Sequence, residues 1–172
     1  MAKKSGKSGS SKYDLLITMK TTAMEIDNIG SNGVDFETHN KGKVAGRLYS
    51  GVQHDTVTGR MFPDGSGEFT VKFVQMTTKG ETVVGQGTGK QEAPNKQGKA
   101  SFKGQVTTWT GSKRLSNVNG ATWDFEGVRT MSTEIAEIRV TLSQGGGSHM
   151  QQHTHDHEHE HSLGDSHSHE SM

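Results

Sequence analysis

Residues 62–91 read FPDGSGEFTVKFVQMTTKGETVVGQGTGKQ, and this stretch decides the fold. Phe69, Val71 and Phe73 recur at every second position, the period of a half-buried β-strand and not of a helix. Pro63-Asp64-Gly65 before them and Lys79-Gly80 after them supply turn chemistry: proline presets φ, and Asp-Gly accepts the left-handed backbone of a tight turn. Beyond the second turn the chain is again extended and carries Gly85, Gly87 and Gly89. The run Gly85-Gln86-Gly87-Thr88-Gly89 lacks the third glycine spacing of a dinucleotide fingerprint and no helix follows it, so that reading is discarded.

The same alternation continues outward in both directions, in Leu15/Ile17/Met19, in Trp123/Phe125 and in Ile138/Val140/Leu142. Asn95-Lys96-Gln97-Gly98 and Asn119-Gly120 are further turns. Ile135, Ile138 and Leu142 also fit helical spacing, but the β-branched content of 133–141 favours a strand. Strands are expected near 13–20, 22–28, 34–39, 44–50, 52–61, 67–78, 82–91, 99–110, 121–131 and 134–142. The fold class is all-β, a single antiparallel β-barrel of about eight to ten strands, with a sandwich as second architecture. Glycines recurring inside strand-like runs, such as Gly59, Gly89, Gly104 and Gly127, are expected to mark bulges or sharp barrel corners.

The chain has 172 residues, of which 28% are hydrophobic, and the apolar ones concentrate in 13–142. With no cysteine, disulfides, thiolate metal sites and cysteine nucleophiles are excluded. No apolar run approaches the roughly 18 residues of a membrane span, and the start MAKKSGKSGSSK has no apolar stretch behind it. A cytoplasmic location is the default. A formal net charge of zero gives no footprint for nucleic acid.

That zero hides a polarity. Lys3, Lys4, Lys7 and Lys12 stand without an acid in 1–12, whereas no Lys or Arg follows Arg139. Composition divides the chain into a basic arm (1–12), a barrel domain (13–142), a Gly-rich linker (143–148) and a His/Asp/Glu-rich tail (149–172). Neither end can bury enough apolar surface to offset ordering entropy, so both are expected to be disordered.

The stretches GRLYSGVQHDTVTGRMFPDGSGEFTVKFVQMTTKGETVVGQGTGKQ and ASFKGQVTTWTGSKRLSNVNGATWDFEG carry repeated G-x-G strands. In the second, Leu115-Ser116-Asn117-Val118-Asn119-Gly120 leads into an aromatic strand that ends Glu126-Gly127. Over about 44–131 the chain resembles the allene oxide cyclase-like barrel group, which is similar in shape to dirigent proteins and lipocalins. The resemblance implies an eight-stranded antiparallel barrel with an apolar cavity. It carries over no catalytic residue and does not imply a cyclase.

The tail holds eight of the ten histidines, with His153, His155, His157, His159 and His161 at every second position and His167 and His169 repeating the spacing. Asp156, Glu158 and Glu160 stand between them. Imidazole suits Zn²⁺, Ni²⁺ and Cu²⁺, and the carboxylates add negative charge. Alternate residues of an extended strand lie roughly 6.6–7 Å apart, so the tail must curl to chelate. Several exchanging sites are expected, filled by a divalent transition metal (Ni, Zn or Cu), with no organic cofactor. A purification tag, suggested by Gly147-Ser148-His149-Met150, a pH-sensing tail and a solubilising end are the competing readings.

Within the body, His54 shares strand parity with Val52 and Thr56 and is read as a barrel-rim histidine, with a cavity-facing role as the alternative. His39 is read as a loop residue. A mixed metal site of histidine with Glu68 or Glu126 has no support. Trp109 and Trp123, with Phe69, Phe73, Phe102 and Phe125, are core or cavity lining. The leading expectation is a non-enzymatic barrel whose tail buffers, stores or delivers a metal ion. The runner-up is a barrel that binds an apolar small molecule. A cavity isomerase or cyclase, resting on fold resemblance alone, is third and would draw on groups such as His54 or Glu126.

Overall fold

The computed structural model describes residues 13–144. They form eight strands: β1 (Leu15–Gly30), β2 (Gly33–Gly46), β3 (Gly51–Met61), β4 (Gly67–Thr77), β5 (Thr82–Gln91), β6 (Lys99–Trp109), β7 (Ala121–Thr130) and β8 (Ile135–Gln144). Each pairs antiparallel with the next and β8 returns to β1, which closes the barrel and removes the sheet edges. The basic arm 1–12 and the tail 149–172 lie outside the described residues.

Eight strands replace ten because two pairs merge. The segments expected at 13–20 and 22–28 are one strand, β1, with register shifts between Thr21 and Ala23 and between Ile26 and Asn28. An extra residue reverses the phase of alternation, so one continuous strand reads as two. The segments at 34–39 and 44–50 likewise merge into β2, where Thr38 and Asn40 face inward although polar. β2 stops at Gly46, and Arg47–Ser50 is a connection that buries Tyr49. Ile135–Gln144 is a strand, paired to β7 on one side and to β1 on the other.

The turns work as their residues dictate. Asp64 Oδ1 accepts from the Ser66 amide at 2.9 Å, and Gly65 takes φ +82°. Asn95 Oδ1 accepts from the amides of Gln97 and Lys99, with Gly98 at φ +68°.

The strand glycines do not mark bulges; the register runs unbroken through them. They face inward and make room for rings. One interior row runs Phe36, Gly59, Phe69, Gly89, Gly104, Phe125, Val140, Leu15 around the barrel. A Cβ on Gly89 or Gly104 would stand 2.5 or 2.6 Å from the ring of Phe69 or Phe125, closer than van der Waals contact permits. Outside, the register aligns Asp35, Arg60, Glu68, Lys90, Lys103, Glu126 and Arg139 in a belt of mostly alternating sign.

One end of the barrel is plugged. The β6–β7 connection winds through a 3₁₀ segment, Lys113–Val118, that buries Leu115 and Val118 beside Val83, Ala121 and Trp123. Trp123 Nε1 donates to Thr108 Oγ1 at 2.8 Å, and Thr108 donates to the Val118 carbonyl at 2.6 Å, so the polar atoms of this floor are satisfied. Glu81 latches the plug from outside, accepting from Arg114 Nε at 2.6 Å, Ser112 Oγ at 2.9 Å and Thr77 Oγ1 at 2.9 Å.

Candidate ligand cavity

Above the floor the interior is hollow, with a cavity of about 130 Å³. It opens at the end opposite the plug, where the exposed Glu134 and the half-buried Phe36 and Gln91 line it. Two unlike sets of side chains line it, one apolar and one polar.

The apolar wall is built on Phe69, Phe102 and Phe125, whose ring centroids are each 6.3 Å from the other two. That spacing suits edge-to-face and tilted contacts, and it forms a continuous aromatic surface. Phe73, Val57 and Ile138 extend it.

The polar wall is a directional array. Arg129 Nη2 donates to Thr21 Oγ1 at 2.7 Å, Thr21 donates to Asn40 Oδ1 at 2.7 Å, and Asn40 Nδ2 donates to Asp55 Oδ1 at 2.7 Å. From the other side Tyr49 OH donates to Gln75 Oε1 at 2.6 Å, Gln75 Nε2 to Gln53 Oε1 at 2.6 Å, and Gln53 Nε2 to Asp55 Oδ2 at 2.8 Å. Both chains of donors therefore converge on one acceptor, the Asp55 carboxylate. Among the described residues no buried side-chain nitrogen or oxygen lacks a partner.

Burial shapes the titration of this wall. It pushes the Asp55 carboxyl up, against the hydrogen bonds from Asn40 and Gln53 and the positive fields of His54 and Arg129. It also raises the Tyr49 phenol and lowers the Arg129 guanidinium, the latter opposed by Glu134 and Asp55. Arg129 reaches Thr21 diagonally across β8, where its own register partner is the small Ala136, itself opposite Met19 of β1.

The residues expected from sequence divide sharply. Phe69, Phe73, Phe102, Phe125 and Trp123 line the cavity. Trp109 does not: in β6 Val106 and Thr108 face inward, so Trp109 points out and is 41% exposed. His54 points outward between inward Gln53 and Asp55, which removes its cavity-facing alternative. His39 lies within β2, not in a loop, with Nδ1 3.2 Å from Thr56 Oγ1 and Nε2 3.3 Å from Glu37. Glu68 and Glu126 belong to the outer belt and do not line the cavity. Among the described residues no group of three His, Cys, Asp or Glu is placed to hold a metal. The tail ligands His153, His155, His157, His159, His161, His167, His169, Asp156, Glu158 and Glu160 lie outside the described residues. No described helix is long and apolar enough to cross a membrane.

The polar wall itself was not among those residues, yet the alternation marks it. Thr21 follows Leu15/Ile17/Met19 in phase, Gln75 follows Phe69/Val71/Phe73, and Arg129 follows Trp123/Phe125/Gly127. A polar side chain that continues an inward apolar phase is the signal.

No family model matches the chain, and no curated protein matches it. Solved structures do. A conserved protein of unknown function from Rhodopseudomonas palustris superposes with TM-score 0.65 at 18% identity, covering 76% of this chain and 95% of its own. A β-barrel-like protein from Acinetobacter baumannii gives 0.64 at 12% identity, covering 74% and 91%. An enzyme from Penicillium herquei gives 0.52 at 15% identity, covering 78% and 98%. At these identities the likeness establishes a shared fold, and the narrower allene oxide cyclase-like assignment gains no match from them.

Proposed function

We propose that the barrel binds a small molecule in its cavity, one with an apolar body and a polar group. The observation that carries this reading is a cavity lined both by an aromatic surface and by a directional polar array. A barrel built only to be stable would fill its middle with side chains, as it does at the plug; here a cavity remains, lined by an aromatic surface and by a satisfied polar array. Native mass spectrometry of the full chain as purified, followed by titration with ring-sized probes, is expected to reveal one small molecule per chain. Ala136→Leu, which fills the space beside Arg129, is expected to weaken probe binding at least tenfold. A folded Ala136→Leu variant with unchanged binding would sink the reading.

A second role rests on the tail and is compatible with the first. Seven histidines at two-residue spacing, interleaved with three acids, are a ligand set for Ni²⁺, Zn²⁺ or Cu²⁺. We propose that this segment takes up such an ion for buffering, storage or delivery. The full chain is expected to gain adducts with limiting metal, and a chain ending at residue 147 is expected to gain none. Equal adducts on both would assign the ions to the barrel.

A further inference from the structure

The chain has five arginines, and the described structure partners them unequally. Arg60 grips Asp35 through Nε and Nη2 at 2.6 and 2.8 Å, Arg114 grips Glu81 through Nε and Nη2, and Arg47 meets Asp14. Arg139 lies over the Tyr13 ring at 5.4 Å. Arg129, which lines the cavity, has no carboxylate within ion-pair distance among the described residues, and its one hydrogen bond there goes to a neutral hydroxyl, Thr21. Three surface arginines, Arg47, Arg60 and Arg114, are thus neutralised where water would have sufficed, while the guanidinium lining the cavity is not.

That arrangement is costly unless a partner arrives. Arg129 is half-buried; a guanidinium has five donors and always carries its charge, so withdrawing it even partly from water without a counter-ion is unfavourable. The two acids that share its field do not contact it. Asp55 is already the acceptor of Asn40 and Gln53, and Glu134 stands exposed on the rim. The apolar wall sets the rest of the ligand. A cavity of about 130 Å³ beside three phenyl rings accommodates one ring and not a long chain.

We infer that Arg129 is the anion-binding group of the cavity and that the ligand is a compact acid, a single ring bearing a carboxylate, which the guanidinium takes in place of an internal counter-ion. This rests on the cavity being a ligand site and names its ligand class. Thr21 holds the guanidinium in place, and the free N–H donors meet the carboxylate oxygens, the geometry that favours arginine over lysine at such sites.

The test uses the full chain with three probes of equal girth: benzoate, phenyl phosphate and benzyl alcohol. Calorimetric or NMR titration is expected to give benzoate at least a tenfold lower Kd than benzyl alcohol, with the gap narrowing as salt rises. Arg129→Gln is expected to erase that gap by weakening benzoate alone, and Arg129→Lys to restore part of it. Should Arg129→Gln fail to fold, the wild-type ratio and Arg129→Lys still decide the matter. Equal affinity for benzoate and benzyl alcohol would overturn the inference while leaving the cavity as a ligand site. Preference for phenyl phosphate would overturn the carboxylate assignment. Binding of none of the three would remove the cavity reading and this inference with it.

Discussion

The plugged end of the barrel and its open end are made from the same strands, yet they solve the inside of a barrel in opposite ways. At the plug Trp123, Leu115, Val83 and Val118 are all but fully buried, and one threonine satisfies the indole and a carbonyl together. Beyond it the inward positions carry glycine and phenylalanine, the polar array climbs from Tyr49 and Gln75 beside the plug to Arg129 near the mouth, and space remains between them. Stability is concentrated in the first region, whereas the second carries the groups that can meet a ligand. The division follows from topology. The β6–β7 connection is long enough to fold a 3₁₀ segment over one opening, while the connections at the other end leave it open.

The largest effect should come from breaking the floor. Trp123→Ala removes the most voluminous fully buried side chain and leaves Thr108 without its donor, and it is expected to cost about 3–5 kcal/mol in urea denaturation. Val57→Ala, made in the wall of the hollow half, is expected to cost clearly less, because the space it enlarges already exists. Equal losses would mean that the two halves do not differ in kind.

Next comes the terminal acceptor of the polar wall. Asp55→Leu strands the amide donors of Asn40 and Gln53, and each unsatisfied buried group costs about 1–3 kcal/mol. A loss of about 2–4 kcal/mol is expected by the same measurement. A neutral outcome would show that the array relaxes around the gap and is not rigid enough to position a ligand.

The two ends also differ in how much of them was legible in the sequence. The alternation of Phe69/Val71/Phe73, Trp123/Phe125 and Ile138/Val140 placed the strands and the aromatic wall. It misplaced the breaks in β1 and β2, because the shift at Thr21/Ala23 reverses phase and because inward Thr38 and Asn40 look like surface residues. The polar array is hidden for the same reason: its residues are polar in chemistry and inward only by phase. Trp109 is the converse case: an aromatic side chain that reads as core, it is in phase with outward Thr107 and 41% exposed. What period-two reading cannot supply is which residues meet across the barrel. Asp55 and Arg129 lie on strands four apart, and their link through Asn40 and Thr21 exists only once the barrel has closed.

The smallest and most diagnostic contrast is in pH dependence, where an acid from each region should act with opposite sign. Glu81, which latches the plug, is held down to about 2 from 4.5, first by the hydrogen bond from Arg114. Its contribution is present above the unfolded value and is lost as pH falls from about 4.5 toward about 2. Asp55 is shifted the other way by burial, from 3.8 upward. In the window above 3.8 the folded chain therefore binds more protons than the unfolded one, and stability falls as pH rises through it. A pH series of urea midpoints on the full chain, with Glu81→Gln and Asp55→Asn beside it, separates the two. Glu81→Gln is expected to flatten the limb below about 4.5 and leave the slope above it unchanged, and Asp55→Asn to flatten the fall above 3.8. If Asp55→Asn instead kept the wild-type slope above 3.8, the array would hold Asp55 ionised as well as water does. The polar wall would then be solvated in practice, and the distinction between a dry floor and a dry, charged site above it would fail at its upper half.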